Sequence, residues 1–513
     1  MCSKDTTQFW KSWKEIYNKN KSNLHPVVNG VTDKKAIVEL FSAHFRKVSK
    51  PNNAAQVESL KNEFHSKHLE AVSLHECDCH TYSFSLQTVI DATFSLKKGK
   101  CCDDDKIPAE HFFNAPLPLF DRLQQLFNYM LHHSFVPSQF QLGTIIPLVK
   151  DRQGDLGDMN NYRGIKIAPI ISKIFEHVLR LQFMDHLSTS TYQFGFKRKS
   201  STSHAIHSLK ESINYYTQSG SNVYCSFLDA SKAFDRLVHV GLFLKLLERG
   251  IPLIFLNLII YWYSKLQCRV RWGESLGEWF FIEAGVRQGG ILSPTFYCIY
   301  VDDLVKILKD AGIGCHVRNS FMSILLYADD MCLIAPSLKG LQRLLQMTEL
   351  FCKTWDIMLN PKKSKNMQFG KKVESLPFLQ LDGNDLEWVE TWTYLGVTLK
   401  SNKEFDCCIA QKLKSFYRSA NAILRIEGRS NELVMLQLIE THCIPILSYA
   451  VDSIHVADRD TRRKLCYNSV FRRIFGYRRS ESVSDLQHQL GRPTWEELVE
   501  RRKSRFLTNL SID

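Results

Sequence analysis

The sequence predicts an α+β protein, and three observations carry that prediction. Apolar runs of strand length end on polar tips, the sharpest being SILLYADDMCLIA from Ser323 to Ala335. Amphipathic runs with helical spacing lie between them, and no internal repeat or low-complexity tract points to a solenoid or a fibre. A content of 44% hydrophobic and 12% aromatic residues over 513 positions supports a sizeable buried core and argues against disorder.

The charge balance points to a partner. A formal net charge of +13 favours a polyanion, because clustered Lys and Arg release condensed counterions from phosphates. Nucleic acid is the first expectation. No membrane partner is expected, since the longest apolar run, Ile251 to Tyr263, is thirteen residues and fits a buried helix instead of a span. The opening MCSKDTTQFWKSWK has no apolar signal core. Fifteen cysteines, an odd number without regular spacing, suggest an intracellular, reducing compartment, nucleus or cytoplasm. The run His75 to His80 contains Cys77-x-Cys79, tighter than a finger knuckle, and no second ligand pair follows, so zinc is not expected there.

Along the chain, residues 1–85 read as a helical N-terminal extension, with Asp33 capping a helix through Ile37, Leu40, Phe41 and Phe45 and Pro51 stopping it. Val89 to Lys100 is a short amphipathic helix, and Leu119 to His133 is periodic enough for a core helix. Gly143 to Lys150 is a strand, and a polar loop carries the chain to Asn161-Tyr162-Arg163-Gly164. Lys150 and Arg163 bracket this loop as a clamp on a nucleoside triphosphate would, although an exposed hairpin with ordinary surface charges has the same pattern. A helix is expected from Ile165 to Leu187, then a polar loop, Gln193-Phe194-Gly195-Phe196-Lys197-Arg198.

Val223 to Leu228 is a β-rich run ending on Asp229, with a helical segment starting at Ala233 or Phe234. A carboxylate at a rigid strand end is well placed to hold a metal. Phe234 would project near a nucleotide bound at Asp229, the plainer role for such a residue being core packing. In GVRQGGILSP, from Gly285 to Pro294, glycines permit close backbone approach to a ligand, while Arg287 and Gln288 supply donors for a base or phosphate. A helix is expected over Thr295 to Leu308.

The tetrad Tyr327-Ala328-Asp329-Asp330 then sits at a tight hairpin tip. Adjacent carboxylates repel, so either the turn is simply solvated or a hard cation such as magnesium compensates the pair. Leu338 to Trp355 is an amphipathic helix, and Asn360 to Lys372, NPKKSKNMQFGKK, carries five lysines and no acid. Tyr394-Leu395-Gly396-Val397 reads as a short strand. The last hundred residues look helical, and Thr461 to Ser480 holds seven basic residues and no acidic one, interleaved with Tyr467, Phe471, Phe475 and Tyr477. Such a surface, with Arg472 and Arg473 in it, suits a nucleic-acid backbone.

Asp229 on one side and Asp329 and Asp330 on the other supply carboxylates from regions a hundred residues apart. Two magnesium ions between them, or manganese, would activate a 3′-hydroxyl and stabilise departing pyrophosphate. That is nucleotidyl transfer.

In chain order FLDASKAFD, GVRQGGILSP, YADD, NPKKSKNM and TYLGV resemble the successive palm motifs of reverse transcriptases of non-LTR (LINE-type, jockey-like) retrotransposons. NYRGIKIAPIISKIFEHVL and QFGFKRKSSTSHA resemble the finger blocks of that group, and the likeness runs over roughly residues 85–480. The resemblance implies a right-hand polymerase, with fingers and palm over 86–400 and a helical thumb and C-terminal region over 401–513. It implies an RNA-directed DNA polymerase using an RNA template, a DNA primer and deoxynucleoside triphosphates. Asp229 and Asp329 would be the metal ligands, Asp330 the supporting carboxylate, and Tyr327 would shape the primer end. Phe234 matches the residue that excludes a ribose 2′-hydroxyl. Gln288 and Gly289 match the loop on the incoming nucleotide and template, and Arg163, with Lys150, the finger contacts to the triphosphate. Lys363 falls where a general acid for pyrophosphate is expected, with Lys362 and Lys365 as neighbours in the same motif.

Two departures stand out. The family usually has Gly-Pro-Asp-Gly where this chain has Asp103-Asp104-Asp105-Lys106, and a Pro after Asn-Tyr-Arg where this chain has Gly164. Neither position is a metal ligand, so chemistry is expected to survive and processivity to suffer. The large N-terminal endonuclease of full-length elements has no counterpart in about 85 residues, so the chain is expected to be a fragment or a stand-alone remnant. The competing function is a nucleic-acid-binding remnant without catalysis, against which the intact aspartates argue.

Overall fold

The computed structural model describes residues 27–74, 82–100, 105–152, 154–287, 289–426, 431–454 and 457–510. The His75 to His80 run, Asp103, Asp104 and Gln288 lie outside the described residues. Two compact units are formed, each from separate stretches of chain. One comprises the chain to Ser188 with Phe234–Tyr297, the other Thr189–Ala233 with Cys298 onward.

In the first unit the strand Leu142–Val149 pairs antiparallel with Tyr162–Ile167 and parallel with Gln267–Trp272. The last of these also pairs with the short strands Ser275–Leu276 and Phe280–Phe281. The helix expected from Ile165 is corrected here. YRGIKI is a strand with Tyr162, Gly164 and Lys166 turned inward and Arg163 outward, and the helix runs Ile170–Gln182. Pro169 explains the boundary, because it holds the preceding residue extended and opens a helix readily.

Asp33 caps Lys34–Val48 as expected, its carboxylate accepting from the Ala36 amide at 2.8 Å. This helix is core material: Phe41 sits 5.1 Å from Tyr162 and 5.2 Å from Trp272, ring to ring. Gly164 has a packing reason, since a Cβ there would lie 2.7 Å from Phe45 Cε1 and 2.9 Å from Ile145 Cγ2. The apolar run near Ile251 is the buried helix Leu253–Ser264, with Trp262 5.6 Å from Phe175.

The second unit is built on a six-stranded sheet. Its spatial order is Leu379–Leu381, Asn384–Trp388, Lys365–Phe369, Val223–Asp229, Asp330–Ala335 and Ile324–Tyr327. The central strand Val223–Asp229 is antiparallel to both neighbours and buried on both faces, in keeping with a run that is apolar but for Ser226. Helices Thr202–Gln218 and Leu338–Thr354 pack on this sheet.

One segment the sequence left unassigned is a strand in this unit, and one further expectation is corrected. The lysine-rich segment contains the strand Lys365–Phe369, fixed to the central strand by Ser226 Oγ donating to Asn366 Oδ1 at 2.7 Å. Tyr394-Leu395-Gly396-Val397 is a hairpin turn between Thr391–Tyr394 and Val397–Lys400, with φ of +43° at Leu395 and +74° at Gly396. Positive φ at both central residues matches the twist of the flanking strands.

After residue 409 the chain is helical, as expected, and its helices close around Phe416, Leu436, Tyr467, Phe471 and Trp495. The α+β class is borne out, and among the described residues no helix is long and apolar enough to cross a membrane.

Candidate active site

The site is built on three adjoining strands of the second unit. Ile324–Tyr327 turns into Asp330–Ala335 through Ala328 and Asp329, and Asp330 stands directly opposite Asp229 on the central strand. Directly opposed residues of an antiparallel pair point to the same face of the sheet, so these two carboxylates share a face. Ala328 adopts φ +58°, a left-handed conformation that costs a non-glycine residue roughly 1–2 kcal/mol. Such strain persists only where neighbours impose it.

Behind Asp229 the segment following Leu338–Thr354 closes in. Ala230 bridges Leu359, the Asn360 amide donates to the Asp229 carbonyl at 2.9 Å, and Ser364 Oγ accepts from the Asp229 amide at 3.3 Å. The tight turn Asn360–Ser364 thereby delivers Lys363, whose Nζ lies 3.8 Å from Asp229 Oδ2. Of its two neighbouring lysines, Lys365 is engaged with Glu387 at 2.7 Å.

Three carboxylates in one place raise the cost of ionisation. Asp330 is pushed up to about 6, first by desolvation against the strand backbones and then by Asp329 and Asp229, although its edge faces solvent. The Tyr327 phenol is raised by burial and, less, by Tyr449 and Asp330. Asp329 also helps hold the Cys298 thiol up to about 12, after burial and Asp302.

Among the described residues no three His, Cys, Asp or Glu side chains close into a ready-made metal cage. The donor set still suits magnesium or manganese. Both are hard cations, and magnesium is commonly held by one or two carboxylates with substrate phosphates completing the shell.

Lys150, Arg163, Phe234 and Gly289 lie in the first unit. Lys150 and Arg163 are exposed at the loop end of the same hairpin, with Arg163 opposite Leu148 and the Lys150 amide donating to the Asn161 carbonyl at 2.8 Å. They therefore share one face of the ribbon, and Lys150 Nζ donates to the Asn160 carbonyl at 2.9 Å. Phe234 is half-buried, 4.6 Å from the Tyr297 ring, and its carbonyl accepts from Val286 at 2.8 Å. Gly289 has φ +99°, and a Cβ there would lie 2.6 Å from the Lys166 carbonyl. The close approach expected toward a ligand is thus made to the protein's own backbone.

The loop also hides a buried ion pair that the sequence did not single out. Arg287 Nη1 donates to Glu176 Oε1 at 2.8 Å and Nη2 to Ser172 Oγ at 3.2 Å, with the guanidinium 4.8 Å from the Trp262 ring. Glu176 also accepts from the Ile291 and Leu292 amides. A carboxylate inside the apolar stretch IFEHVL was the available signal.

On the helix Ala457–Phe475 of the second unit, Arg472 Nε donates to the Glu481 carbonyl at 2.8 Å and Arg473 Nη1 to Asn421 Oδ1 at 2.5 Å. Both arginines brace the helical region, with Arg473 exposed and Arg472 half-buried.

Comparison with known proteins bears directly on these residues. Residues 149–399 match the family described as reverse transcriptase (RNA-dependent DNA polymerase). The chain is 24% identical over 444 residues to a probable RNA-directed DNA polymerase from transposon BS of Drosophila melanogaster, covering 83% of this chain and 48% of that protein. It is 25% identical over 398 residues to the RNA-directed DNA polymerase from mobile element jockey of Drosophila funebris, covering 74% and 42%. The chain thus spans about half the length of the curated relatives it matches. A solved telomerase from Candida albicans aligns at 13% identity with a TM-score of 0.40, covering 73% of this chain and 68% of that one.

Proposed function

Since this chain belongs to the reverse transcriptases of non-LTR retrotransposons, we propose that it extends a DNA primer on an RNA template with deoxynucleoside triphosphates. The observation that carries this reading is the placement of Asp330 across from Asp229, beside the turn that bears Asp329. Nothing in the packing of a strand end requires three carboxylates, and their mutual repulsion is a standing cost unless cations are held there.

Asp229, Asp329 and Asp330 would hold two divalent ions, magnesium or manganese. When bound, such ions supply the charge that activates a 3′-hydroxyl and neutralises departing pyrophosphate. The chain's own residues do the rest. Lys363, whose Nζ is 3.8 Å from Asp229 Oδ2, would give a proton to the leaving pyrophosphate. Tyr327, at the hairpin, would bear on the primer end. Arg163 and Lys150, sharing a face, would grip the triphosphate, while Gln288 and Gly289 would meet the incoming nucleotide and template. Phe234 would exclude a ribose 2′-hydroxyl. Arg472 and Arg473 would contact nucleic-acid backbone, with fingers and palm over 86–400 and the thumb after 400. The free thiols of the described cysteines suit an intracellular setting.

The test is primer extension on RNA and DNA templates, wild type beside Asp329→Ala. Extension on RNA that vanishes in the variant supports the polymerase and its metal site together. Salt-sensitive binding of primer-template without extension by either protein would replace this reading with binding alone.

A further inference from the structure

The loop Gln193-Phe194-Gly195 belongs to the same unit as the acidic hairpin, and it clasps the hairpin tip. Gln193 is fully buried, and its Oε1 accepts from two backbone amides, Gly195 at 2.9 Å and Ala328 at 3.0 Å. Its backbone runs alongside the hairpin as a short parallel bridge to Leu326, with Phe194 donating to the Leu326 carbonyl at 2.8 Å and Leu326 to the Tyr192 carbonyl at 2.9 Å. Gly195 completes the clasp, because a Cβ there would lie 2.6 Å from the Ala328 amide nitrogen and 3.1 Å from the Tyr327 carbonyl carbon. Behind it, Cys298 Sγ donates to the Gly195 carbonyl at 3.5 Å, and Asp302 anchors the loop by accepting from the Ser190 amide at 3.0 Å.

We propose that Gln193 is a positioning residue for the cation site: it fixes the Ala328 amide in the turn, and so sets where Asp329 points relative to Asp229. This rests on the polymerase reading above. The argument is one of backbone accounting. Ala328 occupies a left-handed conformation that alanine does not favour, so the turn needs an outside partner to hold it. The partner present is a buried amide oxygen shared between Ala328 and Gly195. Its sharing ties the tip to a second chain segment that itself pairs with the hairpin. Gln193 Nε2 is buried without a hydrogen-bond partner, so the side chain is retained here at a desolvation cost. That cost is intelligible if the carbonyl end holds the turn in place.

The test uses the full chain with two variants. Gln193→Met keeps the side chain's length and removes the acceptor, while Gly195→Ala pushes on Ala328 from the other side. Three readouts are taken: single-nucleotide incorporation on primed RNA against magnesium concentration, manganese binding by calorimetry without substrates, and melting temperature. The proposal expects either variant to need about tenfold or more magnesium for half-maximal rate and to bind manganese about tenfold more weakly. The KM for deoxynucleotide should stay within about twofold, while melting falls in both variants, since Gln193→Met leaves two buried amides without their acceptor and Gly195→Ala must open the contact with Ala328. An unchanged cation dependence alongside a lowered melting temperature would overturn it, leaving Gln193 a packing residue. Should the wild type incorporate nothing, the polymerase reading falls on its own, and the calorimetry still decides: weaker manganese binding in the variants upholds the positioning role, and equal or absent binding overturns it. If Gln193→Met does not fold, Gly195→Ala carries the same comparison.

Discussion

Asp330 faces Asp229 across adjoining antiparallel strands, one residue beyond the turn that carries Asp329. Like charges directly opposed on one sheet face destabilise it, so the site is under electrostatic load, and that load is measurable.

Asp330 has a folded pKa of about 6 against an ordinary 3.8. A carboxyl that binds its proton more tightly folded than unfolded contributes stability below about pH 4 and loses it as pH climbs toward 6. Melting of the cation-free protein in chelator should therefore fall over this window. Asp330→Asn should flatten the fall and leave the variant about 0.2–1 kcal/mol more stable than wild type at pH 7, with nucleotide incorporation reduced. Parallel melting curves for the two proteins would show that Asp330 ionises without penalty.

Lys363 and Lys365 are two residues apart but differently engaged, the first near Asp229 and the second paired with Glu387. Lys363→Ala should lower the single-turnover rate roughly 10²-fold, as loss of a general acid does, with nucleotide affinity little changed. Lys365→Ala should leave the rate near wild type. Equal losses in both would point to diffuse electrostatics.

Phe234 packs against Tyr297 at a tilt of 30°, which makes both of its candidate roles measurable. Phe234→Ala should raise ribonucleotide use relative to deoxynucleotide. It should also cost about 0.5–1.5 kcal/mol of stability from the lost ring pair, beyond area burial. A stability loss with unchanged sugar discrimination would make Phe234 a core aromatic.

Arg287 and Glu176 form a buried pair beneath the GVRQGG loop. Arg287→Ala leaves a buried carboxylate uncompensated and should cost about 3–5 kcal/mol. The double variant Glu176→Met with Arg287→Met should recover much of that loss, as read by urea denaturation. A double variant less stable than the single would show that the charge itself holds the loop.

Much of the site was legible in the chain because its chemistry is local. A β-rich run ending on Asp229, and two apolar runs flanking Ala328-Asp329, fix strand ends and a hairpin through composition and length alone, and the strands lie at Val223–Asp229, Ile324–Tyr327 and Asp330–Ala335. Local pattern also misled. Ile165 onward looked like a helix because Ile170 onward is one, and the strand was decided by pairing with Leu142–Val149. The lysine-rich segment carried no strand signal of its own, yet Asn366 is buried against Ser226, a partner 140 residues away.

The sequence by itself determined which residues bear charge at strand ends, where the strands of the hairpin lie, and the family to which the motifs belong, because residue type and spacing are properties of neighbouring positions. Tertiary structure alone decided that Asp330 is the carboxylate opposite Asp229, that Lys363 is the lysine beside it, that Gln193 holds the Ala328 turn, and that Glu176 partners Arg287. Each of these joins positions separated by a hundred residues or more. Register, burial and hydrogen-bond satisfaction are set by the segment that packs opposite, and no local pattern encodes which segment that will be.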